Sequence, residues 1–211
     1  RGIGTHLKSK VSQEGKYIYL TFDDGPSKEY TDTLLDLLKK YDIKATFFVV
    51  ADYAKKAPNI IERMKKEGHL IGLHTLEHKN PMFMTPMYTN YEFNKAIRII
   101  KNLGLEIKYF RPAWGVFNLY TIKQFKRNEF TPVLWNVMAE DWKGDTTASI
   151  ISKKLLSRTK IGDVVCLHDG RGKNCAPMRT IEALQKVIPI WVERGYEFLR
   201  VDMIYEQKWD I

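Results

Sequence analysis

Two cysteines in 211 residues cannot frame a disulfide scaffold, and Cys166 and Cys175 fit no zinc-finger spacing. Cys166 falls in a β-rich run, where cysteine acts as a small apolar residue. A bridge to Cys175 would depend on a Cα separation that spacing does not give, so the redox compartment stays open. Long apolar runs are also missing. The longest, Phe47 to Ala51, is strand-sized and far short of the roughly 18 residues that span a membrane. No repeat, low-complexity tract or linker interrupts the chain, which excludes solenoids and disordered arrays and leaves one domain. A globular chain of this size buries about 70% of its unfolded surface and needs no covalent staple. A start at Arg1 fits a mature or truncated form without its export signal or anchor, and fits an artificial start equally.

Acidic residues are in deficit. Lys and Arg number 34 against 25 Asp and Glu, a net charge of +9. No nucleic-acid-binding motif accompanies that charge, and nucleic acid is not expected as a partner. Much of it sits in the pairs Lys39-Lys40, Lys55-Lys56, Lys65-Lys66 and Lys153-Lys154. Three of the pairs fall at or near predicted helix ends, where cations complement the macrodipole. The charge is read as a solvated surface, or as attraction to an anionic surface such as a cell wall.

From Tyr17 onward β-rich runs alternate with helical patterns. Strands are expected at Tyr17–Phe22, Ala45–Val50, Leu70–Leu73, Lys108–Phe110, Pro132–Val137, Asp163–Leu167 and Glu197–Val201. Amphipathic stretches include Asp32–Tyr41, Asn59–Glu67, Tyr91–Leu103 and Arg179–Glu193, with Gly68, Gly104, Gly162 and Gly195 at expected helix ends. Seven alternations imply an α/β fold with a mostly parallel sheet, open or closed into a barrel. In such folds chemistry gathers at the carboxyl ends of strands. Five strand ends deliver it: Asp23-Asp24-Gly25-Pro26, His74 with His78, Arg111-Pro112, Asp141-Trp142 and His168-Asp169.

His74 and His78 are four residues apart, which on a helical turn points both rings at one ion. Two histidines and a carboxylate, with a position left for water, is a hydrolytic zinc arrangement. The zinc-protease HExxH motif places Glu directly after the first histidine, where this chain has Thr75, so that reading fails. Alone, the pair reads equally as two surface histidines. Asp23-Asp24 alone reads as a turn or helix cap. Neighbouring side chains on a strand diverge, so one acid can bind metal while the other serves as a base.

Taken in order, Thr21-Phe22-Asp23-Asp24-Gly25-Pro26, His74-Thr75-x-x-His78, Arg111-Pro112-x-x-Gly115, Asp141-Trp142 and Leu167-His168-Asp169 resemble the five motifs of the polysaccharide deacetylases of carbohydrate esterase family 4. The resemblance implies a distorted (β/α)7 barrel in a single domain spanning 17–205, with 1–16 as an N-terminal extension and 206–211 as a tail. It implies one divalent metal held by Asp24, His74 and His78, zinc by preference, with cobalt or another divalent ion as alternatives. Asp23 is then the general base and Arg111 its anchor, and the Trp114 backbone N–H is an oxyanion donor. His168 is the general acid, oriented by Asp141, and Leu167 lines the acetyl-methyl pocket. Trp114 and Trp142 are the aromatics expected to meet sugar; Phe117 and Tyr120 belong with the core.

Three positions depart from the family pattern. Met138 replaces the acid that opens the fourth motif, whose hydrogen bonds are lost or pass to another group such as Glu140. Ala113 and Trp114 replace a second proline and a tyrosine, and Leu73 stands where asparagine is frequent. His69 is expected as a hydrogen-bonded core residue, His6 as solvent-exposed, and Lys79–Met87 as a rim loop or packing filler. The implied activity is removal of N-acetyl groups from N-acetylglucosamine polymers by a wall-associated or extracellular monomer acting on peptidoglycan or chitin oligomers. The rivals are an O-acetyl esterase on xylan or wall sugars, a metal-dependent phosphoesterase or nuclease, and a non-catalytic glycan-binding member.

Overall fold

The computed structural model describes residues 15–205; the extension expected at 1–16, with His6, and the tail at 206–211 lie outside them but for its last two positions. The elements run β1 (Lys16–Asp23), α1 (Thr31–Lys40), β2 (Thr46–Val49), α2 (Ala51–Lys56), α3 (Pro58–Lys66), β3 (Leu70–Leu73), α4 (Pro86–Asn102) and β4 (Tyr109–Phe110). They continue with α5 (Leu119–Arg127), β5 (Thr131–Pro132), β6 (Val137–Met138), α6 (Ala148–Arg158), β7 (Val164–His168), α7 (Ala176–Glu193), β8 (Tyr196–Phe198) and α8 (Asp202–Tyr205).

Every ladder is parallel, in the order β5-β4-β3-β2-β1-β7-β6, with β8 beside the first residues of β1. The sheet curls into a half-barrel of the (β/α)7 type with helices outside it. Among the described residues no ladder joins β5 to β6. That gap corrects the single strand expected over Pro132–Val137. Its middle leaves the sheet because the Val133 and Leu134 carbonyls accept hydrogen bonds from Arg111 instead.

Helix faces follow the pattern of leucines. On α1, Leu34, Leu35, Leu37 and Leu38 are buried while Asp32 sits in the first turn and Lys39 and Lys40 in the last. Burying each such side chain contributes about 1.5–3 kcal/mol. Lys55-Lys56 and Lys65-Lys66 likewise close α2 and α3, where they offset the carboxyl-end dipole. Gly68, Gly104 and Gly195 follow helices, but Gly162 lies in the turn that feeds β7, beyond the end of α6 at Thr159. Thr85, Asn118 and Thr147 cap α4, α5 and α6 by accepting backbone N–H groups, sequence signals not singled out above.

The central strand sorts its side chains by parity. Ile18, Leu20 and Phe22 of β1 join the large core under the helices, while Tyr19 joins a smaller core inside the curl with Phe48, Tyr109, Val133, Val164 and Val201. Thr21 and Asp23 share the inward parity of Tyr19, which carries Asp23 to the top of the barrel interior.

Candidate active site

Arg111 fills the barrel interior above the small core and is fully buried. Its guanidinium lies 4.1 Å over the Phe48 ring and donates to Val133 O (3.0 Å), Leu134 O (3.3 Å), Thr21 Oγ1 (2.7 Å) and Asp23 Oδ1 (2.7 Å). Asp23 is therefore a buried carboxylate with one oxygen fixed by a cation. Its Oδ2 faces the Cys166 thiol at 3.4 Å, close to the cleft. Cys166 and Cys175 are both free thiols, the first buried and the second exposed, so the possible bridge is absent.

Asp24 turns the other way because its backbone is left-handed, with φ of 70°. His74 and His78 meet it from the β3 exit. Between them the chain makes a bend rather than the expected helical turn, with Thr75 and His78 at positive φ (68° and 59°). The bend is held by His74 N–H to Val49 O (2.8 Å), His78 N–H to Thr75 Oγ1 (2.9 Å) and Leu76 N–H to Glu92 Oε1 (3.4 Å). Left-handed backbone at two non-glycine residues in one bend is strain of the kind concentrated at functional sites.

The three side chains converge. Asp24 Oδ1 lies 3.3 Å from His74 Nε2 and 2.9 Å from His78 Nε2. His74 Nδ1 pairs with the Arg111 carbonyl at 2.7 Å, which makes Nδ1 the protonated nitrogen and leaves Nε2 as a lone pair facing Asp24. Asp24 Oδ1 is buried without a hydrogen bond of good geometry. Lone pairs aimed at one point repel unless a cation sits among them, and one carboxylate with two imidazoles is a donor set that zinc and similar ions accept. Asp24, His74 and His78 thus form a group able to hold a metal ion. With no ion among them the rings can instead carry protons on Nε2, and against the cost of burial their hydrogen bonds then hold the Asp24 carboxyl well below the usual range.

On the opposite side stands His168, at the end of β7. Its Nδ1 lies 2.8 Å from Asp141 Oδ1, while Asp141 Oδ2 accepts the His168 backbone N–H (2.9 Å) and the Thr180 hydroxyl (2.8 Å). Burial works against a charged ring, yet Asp141, aided by Asp24 and Asp23, carries the His168 pKa up to about 9. Asp169 beside it receives the Thr31 hydroxyl at 2.6 Å, and burial pushes its carboxyl up to about 7.

A cleft of about 690 Å³ joins these groups; its lining includes Asp23, Asp24, His74, His78, His168, Trp114, Trp142, Met138 and Cys166. Trp114 is exposed and packs 4.4 Å from His78, and Trp142 meets His168 edge-on at 5.2 Å. Phe117 packs on the core instead, while Tyr120, expected there too, is exposed. Leu167 is not brought to the cleft. It is fully buried in the helix-side core, because parity along β7 turns Cys166 and His168 inward and Leu167 outward. Glu140 does not replace the acid missing at Met138, since it pairs with Lys143 (2.6 Å) and Lys154 (2.7 Å). His69 is a core residue whose ring nitrogen accepts the Ala45 N–H, and burial lowers its pKa to about 4. Missed from sequence were Glu92 and Thr180, which carry no motif and act only through positions the fold brings near, and the part of Thr21, which opens the first motif but was given no role there.

The chain as a whole is similar to known proteins. The family model described as polysaccharide deacetylase matches residues 10–133. A Bacillus cereus protein named peptidoglycan-N-acetylglucosamine deacetylase is 34% identical, over 90% of this chain and 68% of its own. A Listeria monocytogenes protein of the same description is 33% identical over 95% of this chain, which spans only 41% of that relative. A crystal structure of a peptidoglycan N-acetylglucosamine deacetylase with an N-oxidanyl-benzamide ligand superposes with a TM-score of 0.84 at 32% identity, covering 92% of this chain and 90% of the other.

Proposed function

The chain belongs to the polysaccharide deacetylase family, and from that premise we propose that it hydrolyses the N-acetyl groups of N-acetylglucosamine-containing polysaccharide, peptidoglycan first and chitin oligomers next, releasing acetate. One observation carries the reading: a group able to hold a metal, Asp24, His74 and His78, lies in one cleft between a clamped carboxylate and a carboxylate-paired histidine. The relatives named as peptidoglycan deacetylases favour the wall polymer, as does a net charge of +9.

A divalent ion in that group, zinc by preference, would supply Lewis acidity, making water nucleophilic near neutral pH and polarising an acyl oxygen. Asp23 takes the proton from the attacking water. Its Oδ1 is fixed by Arg111 at 2.7 Å, so Oδ2 is the oxygen left for the proton. The Trp114 N–H, on the turn Ala113–Gly115, donates to the developing oxyanion. His168 protonates the departing nitrogen, since an amine anion is a very poor leaving group, and Asp141 keeps the ring charged and oriented. Trp114 and Trp142 flank the cleft as sugar-stacking faces. Leu167, buried outside the cleft, takes no part, and Cys166 occupies the inward place on that strand.

The test is acetate release from chitin oligomers, peptidoglycan and acetylated xylan, with and without chelator. Chelator-sensitive release from the amide substrates is expected, with Asp23→Asn retaining metal but losing turnover and His74→Ala losing both. Full turnover by Asp23→Asn would remove the general-base assignment, and release from xylan alone would turn the reading to O-acetyl esters.

A further inference from the structure

Two loops that run on from the fourth and fifth motifs form one wall of the cleft, residues 139–147 before α6 and 169–175 before α7. Arg179, in the first turn of α7, ties them together. Its Nε donates to Thr146 O (2.8 Å), its Nη2 to Lys143 O (2.6 Å), and its Nη1 to the carbonyls of Lys173 (3.1 Å) and Asn174. Lys173 N–H donates to Trp142 O at 3.2 Å, and Asn174 Nδ2 to Gly144 O at 3.2 Å. Gly172 lies flat on Trp142: a Cβ there would sit 3.3 Å from Trp142 Cα and 2.4 Å from Ala176 Cβ. The wall is therefore held by backbone carbonyls, and its own ionic side chains are left over.

Lys143, Asp145, Arg171 and Lys173 project from it along the cleft. Lys143 is neutralised by Glu140 at 2.6 Å. Arg171 and Lys173 are exposed and have no carboxylate partner among the described residues; Asp145, on the same wall, pairs with neither. The other acids lining the cleft, Asp23 and Asp24, are engaged by Arg111 and by the histidine pair. Two cations on a fixed wall beside His168 are thus available to an anion that arrives with the ligand. A guanidinium and an ammonium together suit a carboxylate.

Resting on the deacetylase reading above, we infer that this wall is a subsite for a carboxylate carried by the glycan next to the sugar being hydrolysed, with Arg171 and Lys173 as its specificity-determining residues. The carboxylate has two sources in a wall polymer, an acid ether on the neighbouring sugar ring or the acidic residues of an attached peptide. A neutral chitin oligomer has neither.

The experiment compares the wild type with Arg171→Ala/Lys173→Ala on three saccharides of equal length: a neutral N-acetylglucosamine oligomer, an alternating oligomer bearing ring-linked carboxylates without peptide, and the same oligomer with peptides. The double variant is expected to raise KM about tenfold on the anionic saccharides, as two exposed pairs of modest strength should. The neutral oligomer should keep its KM, and kcat should hold on all three. High salt should erase the wild-type preference, and Arg171→Lys/Lys173→Arg should restore it. Loss on the second saccharide assigns the ring carboxylate; loss only on the third assigns the peptide. An equal change on neutral and anionic oligomers, or none on either, overturns the subsite. Calorimetric binding of the same saccharides reads the wall without turnover. Absent acetate release by the wild type would then fall on the deacetylase reading, and the binding difference would still decide the subsite.

Discussion

Around Asp141, one fully buried carboxylate serves three donors: the His168 ring, the His168 backbone N–H and the Thr180 hydroxyl. Asparagine at this position keeps an acceptor for the last two but removes the charge beside the ring. His168 acts in its protonated form, so the activity it supports is present below its pKa and lost as pH rises through it. Asp141 is the main upward influence on that pKa, against burial, and Asp24 and Asp23 add to it. A divalent ion cancels part of the Asp23 and Asp24 share, so the loaded enzyme should lose activity somewhat below the value of about 9. Asp141→Asn should move the alkaline limb of the kcat profile acidward by about one pH unit or more, and lower kcat at neutral pH by roughly a hundredfold. A kcat–pH profile on a chitin oligomer checks this. An unmoved limb would take His168 out of the acid role.

Among the elements, the loop leaving β7 decides how Asp24 is presented. Gly170 lies against it so closely that a Cβ would fall 1.8 Å from the Asp24 carbonyl oxygen and 2.8 Å from Gly25 N. Backbone contacts cannot give way as a flexible side chain can, so Gly170→Ala must push the β7 loop away from the left-handed Asp24. Metal affinity should fall by about tenfold or more while the chain still folds, because support beyond the ligands themselves controls such sites. Competition with a chromophoric chelator measures it, and wild-type affinity in the variant would show that the loop does not hold Asp24. The same loop shows what the sequence made legible. The alternation of parallel strands with helices, the leucine face of α1 and the strand-end positions of Asp23, Asp24, His74, His78, Arg111, Asp141 and His168 follow from periodicity and motif order. The left-handed bend at Thr75 and His78 does not, because neither residue type signals positive φ as glycine does, and the β-branched Thr75 disfavours it. Leu167 was misplaced because one residue of register exchanges the two faces of a strand. The division of β5 from β6 was hidden because its cause, Arg111 drawing off two carbonyls, is 22 and 23 residues away. The basic wall escaped notice for a similar reason: Arg179 joins one loop 33 and 36 residues before it to another only 5 and 6 residues before it.

For the whole molecule, the metal group and the fold are one equilibrium. Asp24 closes β1 while His74 and His78 follow β3, and β2 lies between the two strands in the sheet. Only the paired order β1-β2-β3 brings the three donors within 4.8 Å of one another. An unfolded chain cannot present them together, so an ion binds the native state and stabilises it by mass action. At a free concentration a hundred times the dissociation constant the gain is about 2.7 kcal/mol. For a chain of this length that corresponds to a rise in Tm on the order of 5–10 °C. Adding EDTA should remove the rise, and restoring zinc should return it. His78→Ala deletes one donor from a bend whose backbone is otherwise held by His74 N–H and the Thr75 hydroxyl, so it should melt at one temperature whether or not zinc is present. Scanning calorimetry on both proteins, with and without chelator, separates the cases. Equal zinc-dependent shifts in wild type and His78→Ala would place the ion elsewhere, and no shift in either would remove the metal from the structure's energetics altogether.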